Sequence, residues 1–67
     1  MDQLTDLELE ILELLGLGRS NAEIARKMRC TTRAVTAHCL RIRKKLKLKT
    51  TNALIRHAVC WVEDNSS

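Results

Sequence analysis

Residues 31–47 read TTRAVTAHCLRIRKKLK, and the fold turns on how this stretch divides between two faces of one helix. At about 100° per residue, Val35, Cys39, Ile42 and Leu46 fall on a single stripe, the i, i+4, i+7, i+11 spacing of a helix packed on a core. The opposite stripe gathers Arg33, Thr36, Ala37, Leu40, Arg41 and Lys44, which are cations, a hydroxyl and small or apolar groups. A solvated helix face normally mixes both signs, yet no Asp or Glu occurs from Thr31 through Asn52. One face is structural; the other suits a polyanion.

Working outward, the charge on the rest of the chain reinforces this division. Residues 1–18 hold five acids and no base, residues 19–49 hold eleven bases against the single Glu23, and residues 50–67 hold one base and two acids. The net charge of +4 therefore conceals a middle third near +10 with acidic flanks. This is the electrostatic footprint of nucleic-acid binding more than of a membrane anchor, which would need bulky apolar residues opposite its cations.

With 67 residues, the chain makes one domain at most, and it has too little mass to enclose a deep substrate pocket beside a core. No enzyme is expected. The absence of Pro, Tyr and Phe, and an inventory rich in Leu, Ala, Ile, Lys, Arg and Glu, predict an all-α fold. No apolar run approaches the roughly 20 residues of a membrane span, and no signal-peptide pattern opens the chain. A soluble, intracellular protein with no membrane partner is expected. Cys30, Cys39 and Cys60 lack a CxxC spacing, so neither a disulfide framework nor a zinc site is indicated, and reduced thiols are expected. His38 and Cys39 point about 100° apart on a helix and make no convergent pair. No metal and no cofactor are expected.

Helix starts are written into the sequence. Thr5 and Glu8 make a T-x-x-E capping box, with Leu4 as a candidate staple to Leu9. Leu7, Ile11, Leu14 and Leu15 then recur at helical spacing, while Glu8, Glu10 and Glu13 turn to water or toward the cations downstream. A turn is expected over Gly16 to Gly18, and a second capping box follows at Ser20 and Glu23. Ile24, Ala25 and Met28 form the inward side of a two-turn helix, and Thr31 or Thr32 caps the organising helix. A short helix, a turn and a longer basic helix is the helix-turn-helix arrangement, in which the second helix enters the major groove.

The pair Thr50 and Thr51 caps a last helix. Its first apolar stripe, Ile55, Ala58, Val59 and Val62, is assigned to the core. Leu54, His57 and Trp61 form a second stripe with two readings: a self-association face, or a Trp61 that folds over the edge of the core. The helices are expected at about 5–16, 21–28, 32–46 and 51–63, with a polar tail over 64–67, all in one domain of residues 1–67.

Several fragments taken together resemble a known family. They are Leu4-Thr5, Glu10-Ile11-Leu12-x-Leu14-Leu15, Gly18-x-Ser20-Asn21-x-Glu23-Ile24-Ala25, Val35-x-x-His38 and Lys44-Lys45-Leu46-x-Leu48. Their order and gaps resemble the LuxR/GerE-type DNA-binding domain from Leu4 to about Val62. The resemblance implies a four-helix domain of a bacterial transcription regulator, with the second and third helices as the helix-turn-helix and the fourth as the dimer contact. It carries base-reading roles to Thr36, Ala37 and Leu40, with Arg33 close by, and backbone-binding roles to Ser20, Asn21, Thr32, Arg41, Lys44 and Lys45. His38 becomes a packing position. The chain departs from the family at three places: Thr36 stands where Lys is common, Leu40 where a polar residue is common, and Arg29 where a turn glycine is frequent. Readout then rests less on cations reaching guanine than on a hydroxyl and on Ala37 and Leu40 against thymine methyls.

The expected function is sequence-dependent binding of double-stranded DNA by a homodimer, held through Leu54, His57 and Trp61. Two rivals make distinct predictions. A sigma-region-4-like module binds RNA polymerase as well as promoter DNA. An interaction module occupies another regulator through the last helix and blocks its dimerisation.

Overall fold

A computed structural model describes residues 3–65. Four helices follow one another: α1 (Asp6–Gly16), α2 (Asn21–Met28), α3 (Thr32–Lys45) and α4 (Thr51–Asn65), and the described residues contain no strand. The all-α, four-helix expectation holds.

Each helix starts on a hydroxyl. Thr5 Oγ1 accepts from the Glu8 amide at 3.2 Å, and Glu8 Oε1 accepts from the Thr5 amide at 2.8 Å. Ser20 and Glu23 repeat the box at 3.2 and 3.1 Å. Thr31, not Thr32, caps α3 by accepting from Ala34 N at 3.1 Å, and Thr50 accepts from Ala53 N at 3.0 Å ahead of α4. Each such cap contributes about 1 kcal/mol by satisfying amides that the helix itself cannot.

The ends of α1, α2 and α3 share one device. Arg19 N donates to Leu14 O (3.0 Å), Cys30 N to Ala25 O (2.9 Å) and Leu48 N to Arg43 O (2.8 Å). These six-to-one bonds close Schellman motifs around a left-handed residue. That residue is Gly18 after α1 (φ 85°), but Arg29 after α2 (φ 57°) and Lys47 after α3 (φ 58°). The turn after Arg29 thus keeps its geometry without the glycine, at the cost of a strained backbone.

The core consists of Ile11, Leu12, Leu14, Leu15, Ile24, Ala25, Val35, Ile42, Leu54 and Ala58. Helix α1 lies chiefly along α4 and also crosses α3, while α2 packs on α3. One expectation about the inward face of α1 is corrected by this packing. Because α1 is covered chiefly by α4 and α3, its buried arc is centred past Leu7: Leu12 is inside, and Leu7 is exposed. Glu8, expected to face water or the downstream cations, takes the second course and is 3% exposed.

On α4 the buried side falls between the two apolar stripes and takes residues from each. Leu54 and Ala58 are fully buried and Trp61 packs against them, while Ile55 and Val59 are exposed. Leu54 therefore has no surface to offer a second chain. Gly16 explains part of the choice. It is the last residue of α1 and not a turn residue, and it allows α4 to approach to backbone contact. A Cβ on Gly16 would lie 2.5 Å from Cγ2 of Val62 and closer still to the carbonyl oxygen of Ala58. The Ala58 side of α4 is thereby drawn inward, and Ile55 and Val59 rotate out.

Candidate nucleic-acid interface

Helix α3 carries its apolar stripe inward, with Val35 and Ile42 fully buried and Cys39 and Leu46 packed against the core. Its outward arc is consequently fixed. Arg33, Thr36, Ala37, Leu40, Arg41 and Lys44 are all exposed, within about 140° of one another around the helix axis. Ser20 and Asn21 at the start of α2 and Thr32 at the start of α3 are exposed beside them.

Most of these residues share one depression. Ser20, Asn21, Thr32, Arg33, Thr36, Ala37 and Leu40 line an open groove of about 770 Å³, whose other wall includes Thr51 and Ile55 from the first turns of α4. Arg41 and Lys44 stand on its flank, outside the lining. The groove is thus framed by the starts of α2 and α4 and by the outward side of α3. Helix starts present unsatisfied amides and partial positive charge, which favours an anion along such a frame.

The electrostatics are one-sided. Arg33, Arg41 and Lys44 have no carboxylate partner among the described residues; the ion pairs are Arg19–Glu23 at 3.6 Å and Lys45–Glu8 at 2.6 Å. The first is an exposed i, i+4 pair on α2's approach. In it the Glu23 carboxyl is held below the usual range, first by the Ser20 amide and hydroxyl and then by Arg19.

The second pair removes Lys45 from the set of free cations. Its Nζ donates to Glu8 Oε1 at 2.6 Å and lies 3.4 Å from the Gln3 carbonyl, and its side chain is only 26% exposed. The structure thus places Lys45, to which a backbone-binding role was carried, against Glu8 of α1 and apart from the other carried positions. Lys45 follows Lys44 by about 100° around α3, which turns it from the outward arc toward α1. Glu8, already bound to the Thr5 amide, is kept ionised: the Lys45 hydrogen bond, then the Thr5 amide, hold its carboxyl below the usual range against the opposing effect of burial.

Two further residues shape the site, and the sequence assigns neither of them to it. The Arg43 guanidinium donates to the carbonyl oxygen of Lys49, tying the loop after α3 back to the helix beside the groove. Its Nε is buried without a hydrogen-bond partner. Ile55, assigned to the core by periodicity, instead lines the groove at 39% exposure. An arginine between the two stripes of α3 is the only sequence signal for the first; nothing local marks the second.

Of the residues expected to hold two copies together, His57 alone is exposed, while Leu54 is in the core and Trp61 is half-buried against it. The three do not form one surface. Cys39 faces the core side of α3, where burial pushes its thiol up and keeps it protonated near neutral pH.

The family of bacterial regulatory proteins described as GerE, luxR family, matches residues 2–58. The transcriptional regulatory protein MctR of Rhizobium johnstonii is 43% identical over 58 residues, covering 87% of this chain and 27% of that protein. The oxygen regulatory protein NreC of Staphylococcus carnosus is 41% identical over 56 residues, 84% of this chain and 26% of its own length. The uncharacterized response regulatory protein YgeK of Escherichia coli K12 is 40% identical over 58 residues, 87% of this chain and 40% of its length. The chain thus spans well under half of each of these relatives. No solved structure matches it. Four helices in this order, a basic outward face on the third and a family match over nearly the whole chain agree: the protein belongs to the LuxR family of bacterial regulatory proteins, through their DNA-binding helix-turn-helix domain.

Proposed function

We propose that this domain binds double-stranded DNA in a sequence-dependent way, with α3 in the major groove, and regulates transcription from the sites it occupies. The observation that carries this reading is the outward arc of α3: exposed throughout, free of carboxylates, and bearing Arg33, Arg41 and Lys44 without an ionic partner among the described residues. Arg41 and Lys44 are phosphate contacts, joined by Ser20, Asn21 and Thr32 at the helix starts. Arg33, Thr36, Ala37 and Leu40 face base edges. Cations release counterions and supply most of the affinity, while the four base-facing residues supply discrimination.

Two copies act together through α4, which presents Ile55 and Val59, 39% and 36% exposed, on one side. These replace Leu54 and Trp61 as the apolar centre of the contact. Half-sites about one helical turn apart follow from such a pairing.

A binding selection on random duplexes at two salt concentrations tests the whole reading. It should return a consensus with two-fold symmetry and an affinity that falls steeply with salt. Thr36→Lys should change the preferred sequence, and an unaltered preference would remove Thr36 from the base-facing set. Val59→Glu should abolish symmetry in the selected sites and halve the mass seen in sedimentation. Unchanged mass would remove α4 from the contact.

A further inference from the structure

Resting on the DNA reading above, we infer that α3 selects its target chiefly through C5-methyl groups in the major groove, so that 5-methylcytosine substitutes for thymine at the contacted positions. Thr36 provides the first observation. Its Oγ1 donates to the Thr32 carbonyl at 3.1 Å, which commits the one hydroxyl proton inside the helix. The hydroxyl contact expected from the sequence is therefore withdrawn as a donor, and Thr36 offers a base its methyl and an acceptor oxygen.

The second observation is the neighbouring surface. Ala37 is exposed beside Thr36, and Leu40, one turn on, is 46% exposed at the edge of the same groove. A leucine held in water on the outward face of a recognition helix gains by contact with an apolar group on the partner, and thymine's methyl is the apolar group that a major groove displays.

The third observation is what the face lacks. From Thr31 through Thr51 the chain has no Asn or Gln to span the adenine edge and no Asp or Glu to accept from cytosine. Arg33 alone of the four base-facing residues suits guanine in the usual way. The resulting code is one guanine read by Arg33 beside one or two pyrimidine methyls read by Thr36, Ala37 and Leu40. Thymine and 5-methylcytosine carry that methyl on the same ring carbon. They differ at the exocyclic position, against which this helix sets no carboxylate or amide.

The test uses the 67-residue chain and the operator that the selection returns. Each thymine of one half-site is replaced in turn by uracil, which keeps every hydrogen-bonding edge and removes only the methyl. At least one replacement should weaken binding about fourfold, the effect of losing one buried methyl-sized group. At such a position cytosine should bind weakly and 5-methylcytosine should recover a large part of the loss. Leu40→Ala should bind the thymine and uracil duplexes alike at its own position. Thr36→Val should keep the thymine preference, and Thr36→Ser should lose it. Selective binding that is indifferent to uracil at every position, or a preference kept by Thr36→Ser and lost by Thr36→Val, would overturn the methyl readout and leave DNA binding intact. Failure to bind any duplex would overturn the DNA reading and this inference together.

Discussion

Lys44 and Lys45 leave α3 from adjacent positions and belong to different regions of the molecule. Lys44 stands on the outward arc, exposed and without an ionic partner among the described residues; Lys45 turns inward and binds Glu8 of α1 at 2.6 Å. The outward side keeps its charges uncommitted, and a polyanion can collect them. The inward side commits the Lys45 charge to joining α3 to the cap of α1. Basic residues in a DNA-binding helix are thus not interchangeable, and about 100° of rotation decides which are tied to the fold.

The inward region should break first and hardest. Gly16→Ala puts a methyl into the Ala58 backbone, which cannot move aside as a flexible side chain would. We expect a loss of about 3 kcal/mol, measured by urea unfolding, at the upper end of overpacking effects because backbone must shift. A loss under about 0.5 kcal/mol would mean that α1 and α4 are not in close contact there.

Lys45→Met follows, at about 2 kcal/mol. It leaves a carboxylate buried at 3% exposure without its cation, and the figure is reduced from that for a fully buried pair because the Lys45 side chain is 26% exposed. The sign of the pH effect is fixed. Glu8 has a lowered folded-state value, so its contribution is fully present above the unfolded carboxyl's titration near 4.5 and is lost as pH falls through the folded value. The gap between wild type and Lys45→Met should therefore be widest at neutral pH and close on acidification. A gap that widens in acid would contradict the ion pair.

Smaller effects lie at the border and on the outward side. Arg29→Gly relieves a left-handed residue and should raise stability by roughly 0.5–1 kcal/mol, with the Cys30–Ala25 bond kept. Thermal unfolding decides it, and a loss would show that the Arg29 side chain contributes more than its backbone costs. Lys44→Ala should leave stability within about 0.5 kcal/mol, as expected of an exposed, unpaired side chain. A larger loss would place Lys44 with Lys45 on the inward side.

How much of this was legible differs from helix to helix. The two capping boxes and the α3 stripes could be read directly, because both depend on residues three or four apart and α3 has only one apolar stripe to bury. Helix α4 offers two adjacent apolar stripes, Ile55-Ala58-Val59-Val62 and Leu54-His57-Trp61, and its own periodicity does not choose between them. Its partner chooses, through a glycine more than forty residues earlier in the chain. The Glu8–Lys45 pair was hidden for the same reason: local sequence shows Glu8 as half of a capping box, and its second partner comes from a distant helix. The outward residues of α3 were readable from its spacing, which leaves Lys45 off that stripe; only the family resemblance carried a site role to it. The commitment of the Thr36 hydroxyl to Thr32 was a matter of rotamer, which spacing does not specify.

The separation of outward from inward charge is tested most directly by the salt dependence of duplex binding for wild type, Lys44→Ala and Lys45→Met, each at a temperature where it is folded. Lys44→Ala should flatten the slope of log affinity against log salt by about one, while Lys45→Met should bind with the wild-type slope. Equal flattening by both, or a wild-type affinity that ignores salt, would contradict it.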